Sequence, residues 1–379
     1  MMARMVQPGR RARHDSGERE ARAHGAPRLA HRLPIDAQNR LRDARRALRA
    51  ALYRCHVVPS PRKARIHLTD VCNFRCPTCT KWEQRPGAAE LSTEQWCAVL
   101  GRLARLPRLR EVVLSGGEPF ARADIFDLVA AAGRLGFRVS LVTNGWLVDG
   151  ETLAKLQESG ADQLVVSLNS LREEVHDASR AMAGSHRRIM RLLAEWREGG
   201  RRPRICISTI VMESNCGELA ALALAAQEWG TDGIVFQPVG ATVFHHAFTA
   251  HERMPAPPPR WWANDLHWVR DPSVVGVQCA ELLRLRRRGV PILNSAWHLR
   301  RLERYFRDPE SVPEIPCLGT LDALEVDPLG NIRLCGGLGP IGNALADDPL
   351  EAWRSPRAAE VRRASRTCPH MCRLLNCNV

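Results

Sequence analysis

The sequence has no apolar run approaching the roughly 20 residues needed to cross a bilayer. Its first 30 residues are rich in arginine but lack the apolar core of a secretory signal. These absences point to a soluble, cytoplasmic protein. An odd count of 13 cysteines, without an export signal, does not fit a disulfide framework. Acidic residues are scarce at one end only: residues 1–65 hold 17 Lys and Arg against 5 Asp and Glu, and the rest of the chain holds 38 against 36. The net charge of +14 is therefore carried by a tail, and the body is near neutral. Such a tail reads as solvated and disordered. The charge distribution argues against nucleic acid as the partner of the folded part.

The 379 residues, 45% of them hydrophobic, suffice for one large domain or two modest ones. Residues 37–54 read as a helix, with Leu41, Leu48 and Leu52 on one face. From residue 64 the chain alternates between strands and helices. Short β-branched runs mark strands at 64–70, 111–117, 137–145, 162–170, 204–211 and 232–239. Between them lie helical patterns at 91–106, 123–136, 150–160, 186–200 and 216–230. Ser92 and Gln95 form a capping-box signature at the head of the first. Six β-α units imply a parallel sheet, two short of a closed eight-fold barrel. The expected fold class is α/β: a partial (β/α)6 TIM-like barrel with a small C-terminal cysteine-rich extension of β-hairpin and helix.

This gives four expected regions: a basic, largely disordered tail ending in a helix (1–60), a barrel core (61–240), a Pro/Trp-rich connector with helices (241–312) and a cysteine-rich unit (313–379). The connector holds His245, His246, Trp261, Trp262, Asn264 and His267, and is expected over the barrel mouth. Its Trp pair reads as packing, or else as a platform for a sugar or base. In the last region, 321–335 reads as a hairpin around an Asp-Pro-x-Gly-Asn turn, followed by a helix at 348–366.

Eight cysteines fall in two groups. The first, Cys72, Cys76 and Cys79, is spaced C-x3-C-x2-C on the loop after the first strand. A structural zinc site wants four ligands, and thioredoxin-like chemistry wants C-x-x-C. Three thiols on one loop suit a cubic iron–sulfur cluster with one iron left open. A zinc knuckle borrowing a distant fourth ligand is the alternative.

With SGGEP after the second strand, this loop resembles the radical S-adenosylmethionine (SAM) superfamily. The resemblance implies a 4Fe-4S cluster on Cys72, Cys76 and Cys79 whose open iron chelates SAM. It implies reductive cleavage of SAM to a 5′-deoxyadenosyl radical that abstracts hydrogen from a substrate. By the same resemblance Gly116, Gly117, Glu118 and Pro119 receive the methionine amino group. Thr143 and Asn144 meet the pocket, Ser167 and Asn169 contact the SAM ribose or carboxylate, and Arg180 approaches the carboxylate. The chemistry agrees: glycines allow close backbone approach, and a carboxylate complements an ammonium. The residue before the third cysteine, aromatic in the family, is Thr78 here. Phe74 and Trp82 are candidates to replace it beside adenine, and Phe236, Gln237 and Pro238 to line the adenine side.

The second group, Cys317, Cys335, Cys368, Cys372 and Cys377, resembles the SPASM/twitch extensions of the same superfamily, as do the IGN (341–343) and EAW (351–353) segments. Five cysteines, rather than seven or eight, imply one auxiliary 4Fe-4S cluster. It would use Cys317, Cys335 and two of the last three, with Cys372 and Cys377 expected and any pair open. A structural zinc site is the alternative. The resemblance also implies an external electron donor such as flavodoxin or ferredoxin. Residues 1–60 show no strand-rich segment able to form a winged helix that would grip a leader peptide. The expected substrate is thus a small polar molecule such as a sugar, nucleoside or cofactor precursor. Maturation of a ribosomal peptide or protein is the alternative. An iron–sulfur or zinc scaffold or electron carrier without SAM chemistry is the reading from another class. No residue stands out as a general acid or radical quencher, so the catalytic side chains and the reaction type stay unassigned.

Overall fold

A computed structural model describes residues 34–83, 90–245 and 256–375. The expectations for the tail up to residue 33, for His246 and for Cys377 lie outside the described residues. Among the described residues no helix is long and apolar enough to cross a membrane.

Six parallel strands run in chain order: β1 (Lys63–Thr69), β2 (Glu111–Gly116), β3 (Arg138–Thr143), β4 (Gln163–Ser167), β5 (Arg204–Val211) and β6 (Gly233–Pro238). The first helix, α1 (Ile35–Arg54), precedes them. Those between and after them are α2 (Thr93–Leu103), α3 (Ile125–Arg134), α4 (Gly150–Glu158), α5 (Glu173–Arg180), α6 (Ser185–Glu198), α7 (Leu219–Glu228), α8 (Pro272–Arg287) and α9 (Ala296–Arg307). Alternation along each strand decides which face is dry. Ile66, Val112, Leu114, Val139, Leu141, Leu164, Val166, Ile205, Ile207, Ile234 and Phe236 are fully buried and belong to one hydrophobic core. On the other face the first positions of β1, β2, β3 and β5 carry charge. Glu111 binds Lys63 and Arg138 at 3.0 Å each, and Arg65 lies 3.7 Å from Glu325. The sheet is open, as six units require.

The C-terminal hairpin joins this sheet. Its strands β7 (Ala323–Val326), β8 (Asn331–Arg333) and β9 (Gly342–Asn343) extend the order to β6-β5-β4-β3-β2-β1-β7-β8-β9. β7 runs parallel to β1, from Lys63 against Ala323 to Ile66 against Val326. The turn is held by Asp327, whose carboxylate accepts from the backbone N–H groups of Leu329 and Asn331 and from Arg333 Nε at 2.8–3.0 Å. After a single-turn helix, α10 (Gly319–Asp322), the expected helix at 348–366 forms as two: α11 (Pro349–Arg354) and α12 (Pro356–Arg366). Pro356 has no N–H to continue the ladder, and Ser355 caps the new start by accepting from the Ala358 N–H. The far end of α1 docks here: Arg49 pairs with Asp322 at 3.1 Å, and Arg366 donates to the Tyr53 carbonyl at 3.0 Å.

Candidate functional site

The site is built where β1 and β2 end. The Gly117 N–H donates to the Thr69 carbonyl at 2.7 Å, and the Glu118 N–H to Val71 at 2.8 Å. Side chains would forbid this approach: a Cβ on Gly116 would land on the Thr69 carbonyl oxygen, and one on Gly117 on those of Asp70 and Val71. Gly116 also holds φ +135°, a region L-residues avoid. The two glycines thus press the second loop onto the cysteine loop. Asp70, fully buried, opens that loop and pairs with the Lys81 Nζ at 3.1 Å on its far side.

Glu118 is also fully buried, and both its carboxylate oxygens are spent inside the protein. One accepts from Thr143 Oγ1 at 2.8 Å and from the Phe120 N–H at 3.2 Å; the other accepts from the Asn144 N–H at 2.8 Å. Burial pushes its carboxyl up to about 7 against these donors. Its observed task is to brace β2 against β3. Pro119, beside it and itself buried, opens a short turn. Asn144 reaches back through Nδ2 to Asn73 Oδ1 at 2.7 Å, and its own Oδ1 accepts from the Trp146 N–H. Thr143 and Asn144 are therefore ties between strand ends. Asn169 is a third tie. It donates to Ser179 Oγ, accepts from the Ile210 N–H, and its carbonyl accepts from Asn215. Ser167, half-buried, ends β4 beside Ser208 of β5.

Cys72, Cys76 and Cys79 are free thiols, the middle one buried. Burial, the largest cause, pushes Cys72 up to about 11 and raises Cys79, with the neighbouring cysteines adding to both. Backbone N–H groups already address two sulfurs, Phe74 to Cys72 at 3.4 Å and Lys81 to Cys79. Among the described residues no three His, Cys, Asp or Glu side chains converge as a single ion requires. A zinc ion holds its sulfurs about 2.3 Å from one point; a cubic cluster is larger and spreads them. Three thiols on one loop are the donor set of an iron–sulfur cube with one iron left open, and cationic iron would convert them to thiolates. Two buried donors beside them lack a partner among the described residues: Asn73 Nδ2 and Arg180 Nε. Arg180 lies 5.7 Å over the Phe74 ring, and its carbonyl meets Cys76 Sγ at 3.6 Å. An anionic group placed beside the cysteines would satisfy both. Asn73 was not among the sequence candidates, although it is the only amide between the first two cysteines.

The aromatic candidates divide. Phe74 is buried against Trp146, with centroids 6.0 Å apart, and Trp82 is more than a third exposed, its Nε1–H donating to the Cys76 carbonyl. Phe236 is fully buried in the core, which removes it from an adenine-facing role. The connector closes on the cysteine loop through the His245 carbonyl, which accepts from the Thr80 N–H at 3.3 Å and meets Cys79 Sγ at 3.6 Å. Trp261 and Trp262 pack on Trp268, which in turn stacks on Tyr305 and Phe306 of α9. The Trp pair is structural packing.

In the C-terminal unit Arg373 is the centre. It is buried, donates to the carbonyls of Ser365 and Cys368, and is surrounded by Cys317, Cys368 and Cys372, whose charge outweighs burial and raises its pKa. Cys368 thus joins the group that Cys372 was expected to anchor.

Residues 66–215 match the family model "Radical SAM superfamily". A relative from Rhodopseudomonas palustris, a PqqA peptide cyclase, is 38% identical over 122 residues, 32% of each chain. The match therefore spans about a third of that relative's length. An AdoMet-dependent heme synthase from Methanosarcina barkeri is 26% identical across 81% of this chain and 85% of its own. Among solved structures, Streptococcus suis SuiB bound to precursor peptide SuiA shares the fold, with TM-score 0.62, 17% identity, and coverage of 83% of this chain and 69% of that one.

Proposed function

The chain carries a radical SAM domain, and from that premise we propose a radical SAM enzyme that modifies a peptide or protein. In this reading Cys72, Cys76 and Cys79 hold the 4Fe-4S cluster, and Cys317, Cys368 and Cys372, with Cys335, hold an auxiliary one. The observation that carries the cofactor assignment is the pair of buried donors without a partner among the described residues, Asn73 Nδ2 and Arg180 Nε, beside three free cysteines. When bound, the cluster supplies SAM with the electron that starts hydrogen abstraction. The chain's own residues do the holding. Gly116 and Gly117 set the loop spacing, and Asn73 and Arg180 take the SAM carboxylate. Ser167 is the hydroxyl left for the ribose, while Glu118, Thr143 and Asn144 fix the frame.

A peptide substrate is supported by the peptide cyclase relative and by the shared fold with SuiB, a protein seen with a precursor peptide. That favours a peptide over the small polar molecule expected from the sequence. The long match to the heme synthase supports a second reading, a cofactor precursor.

The test uses anaerobically reconstituted protein with SAM, dithionite and a perdeuterated cell extract divided by size. Deuterium appearing in 5′-deoxyadenosine from the peptide fraction, and abolished by protease, supports the proposal. Transfer only from the small-molecule fraction supports the second reading. Absence of 5′-deoxyadenosine overturns both.

A further inference from the structure

The C-terminal unit holds a cation among its cysteines. Arg373 lies on a short turn (Cys372–Leu374), follows Cys372 directly and is 2% exposed. Its Nη2 donates to the Ser365 carbonyl at 3.0 Å, in the last turn of α12, and to the Cys368 carbonyl at 2.9 Å. The guanidinium also donates to the Cys317 side chain. One side chain thus joins the segment that carries Cys317 to the segment that carries Cys368 and Cys372.

The surroundings fix that position. Ser365 Oγ donates to the Arg362 carbonyl at 2.8 Å and meets Thr320 Oγ1 of α10 at 3.4 Å. Thr320 Oγ1 lies 3.5 Å from the Cys317 carbonyl. On the α1 side Tyr53 closes the group. Its hydroxyl accepts from the Cys317 N–H, and its ring centroid lies 4.3 Å from the Arg366 guanidinium.

Iron–sulfur potentials follow net charge, hydrogen bonds to the sulfurs and exposure to water, and the groups around the ligands tune a metal as well as orient what holds it. Arg373 acts on the first two directly. Its guanidinium stays protonated, it reaches a cysteine sulfur, and its burial keeps water from screening it. A fixed cation acts on the sulfurs whatever else it binds. An added electron makes a thiolate-held cube more negative, so a cation beside it stabilises the reduced state. We propose that Arg373 raises the reduction potential of the auxiliary cluster and biases it toward taking up an electron. The proposal rests on the reading above that Cys317, Cys335, Cys368 and Cys372 hold that cluster.

The test is a redox titration of the reconstituted full chain, followed by low-temperature electron paramagnetic resonance. The parent is the Cys72→Ala/Cys76→Ala/Cys79→Ala protein, in which roughly four irons report one cubic cluster. Arg373→Gln removes the charge and keeps an N–H donor for the two carbonyls. At the parent's midpoint its ratio of reduced to oxidised cluster should be about tenfold lower, the worth of one charge-assisted hydrogen bond. Arg373→Lys keeps the charge but not the planar fork, and its ratio should fall no more than about threefold. Arg366 stays in every protein compared. Equal ratios in the parent and the Gln variant, or equal falls in the Gln and Lys variants, overturn the proposal. Should the Gln variant hold no iron, the Lys variant decides: roughly four irons at a potential near the parent's support the role of the charge, and loss of iron there as well makes Arg373 a brace and overturns it. The readings fail separately. Roughly four irons with equal ratios removes the role of Arg373 alone, whereas a parent without iron removes the auxiliary cluster and the proposal with it.

Discussion

Asn144 at the end of β3 donates Nδ2–H to Asn73 Oδ1 at 2.7 Å, tying a strand end to the cysteine loop. With Oδ1 engaged, Asn73 presents Nδ2 as a buried donor without a partner among the described residues. Asn144→Ala releases that amide to rotate. SAM affinity, measured anaerobically by calorimetry, should fall about tenfold, one hydrogen bond's worth, while iron content stays at the wild-type level. Unchanged affinity would remove Asn73 from the SAM site.

Gly117→Ala tests the loop-on-loop contact. The new Cβ meets backbone oxygens of Asp70 and Val71, which have no rotamer to yield. The cost should be about 3 kcal/mol or more, read from urea denaturation. Gly101, inside α2, has nothing within 4 Å of such a Cβ. Gly101→Ala should leave stability unchanged or raise it by up to about 1 kcal/mol.

Local patterns made much of this fold legible. Five of the six parallel strands formed within two residues of their expected bounds, and β4 stopped three residues short of its expected end; each is a short run rich in β-branched residues. The α2 capping box formed in full. What was missed is either nonlocal or weakly amphipathic. α5 has one large apolar residue in eight, and buries His176 and Ser179 instead. The hairpin turn could be read, but not that β7 would pair with β1, since edge choice depends on the whole sheet. In the site, cysteine spacing sufficed to find the loop. The role of Glu118 was hidden, because its partners Thr143 and Asn144 lie 25 and 26 residues away.

Iron counting separates the two cysteine groups. Reconstituted wild type should hold roughly eight irons, two cubic clusters. Replacing Cys72, Cys76 and Cys79 by Ala should leave roughly four and abolish SAM cleavage, and replacing Cys317, Cys368 and Cys372 should also leave roughly four. Roughly four in the wild type, falling to none in the first variant, would show that the C-terminal cysteines hold no cluster.

Asp70 and Lys81 bracket the cysteine loop as an ion pair at 3.1 Å, with side chains no more than 10% exposed. Removing one partner deprives the other of this buried ion pair. Lys81→Met should cost about 3–5 kcal/mol, and Asp70→Leu/Lys81→Met should recover most of it. A double-mutant cycle by urea denaturation measures the coupling. Additive losses would mean that the pair does not close the loop.

His176 sets an acid limit. Its Nδ1 accepts from the Asn169 N–H at 3.1 Å, so the ring is held neutral. Burial, then Arg180 and His186, lower its pKa to about 3, with Asp177 opposing. The unfolded chain protonates it near 6.5, so below that pH the unfolded state binds more protons than the folded one. The stability it contributes is therefore complete above about pH 6.5 and lost as pH falls toward 3. Between pH 6.5 and 5 this one group should remove about 2 kcal/mol. His298, also buried and lowered to about 3, acts in the same direction and stays in both proteins compared. His176→Asn has no ring to protonate. Its stability should fall by about 2 kcal/mol less than wild type across that window, as urea midpoints at the two pH values would show. Equal losses in the two proteins would mean that His176 already carries its proton in the folded state.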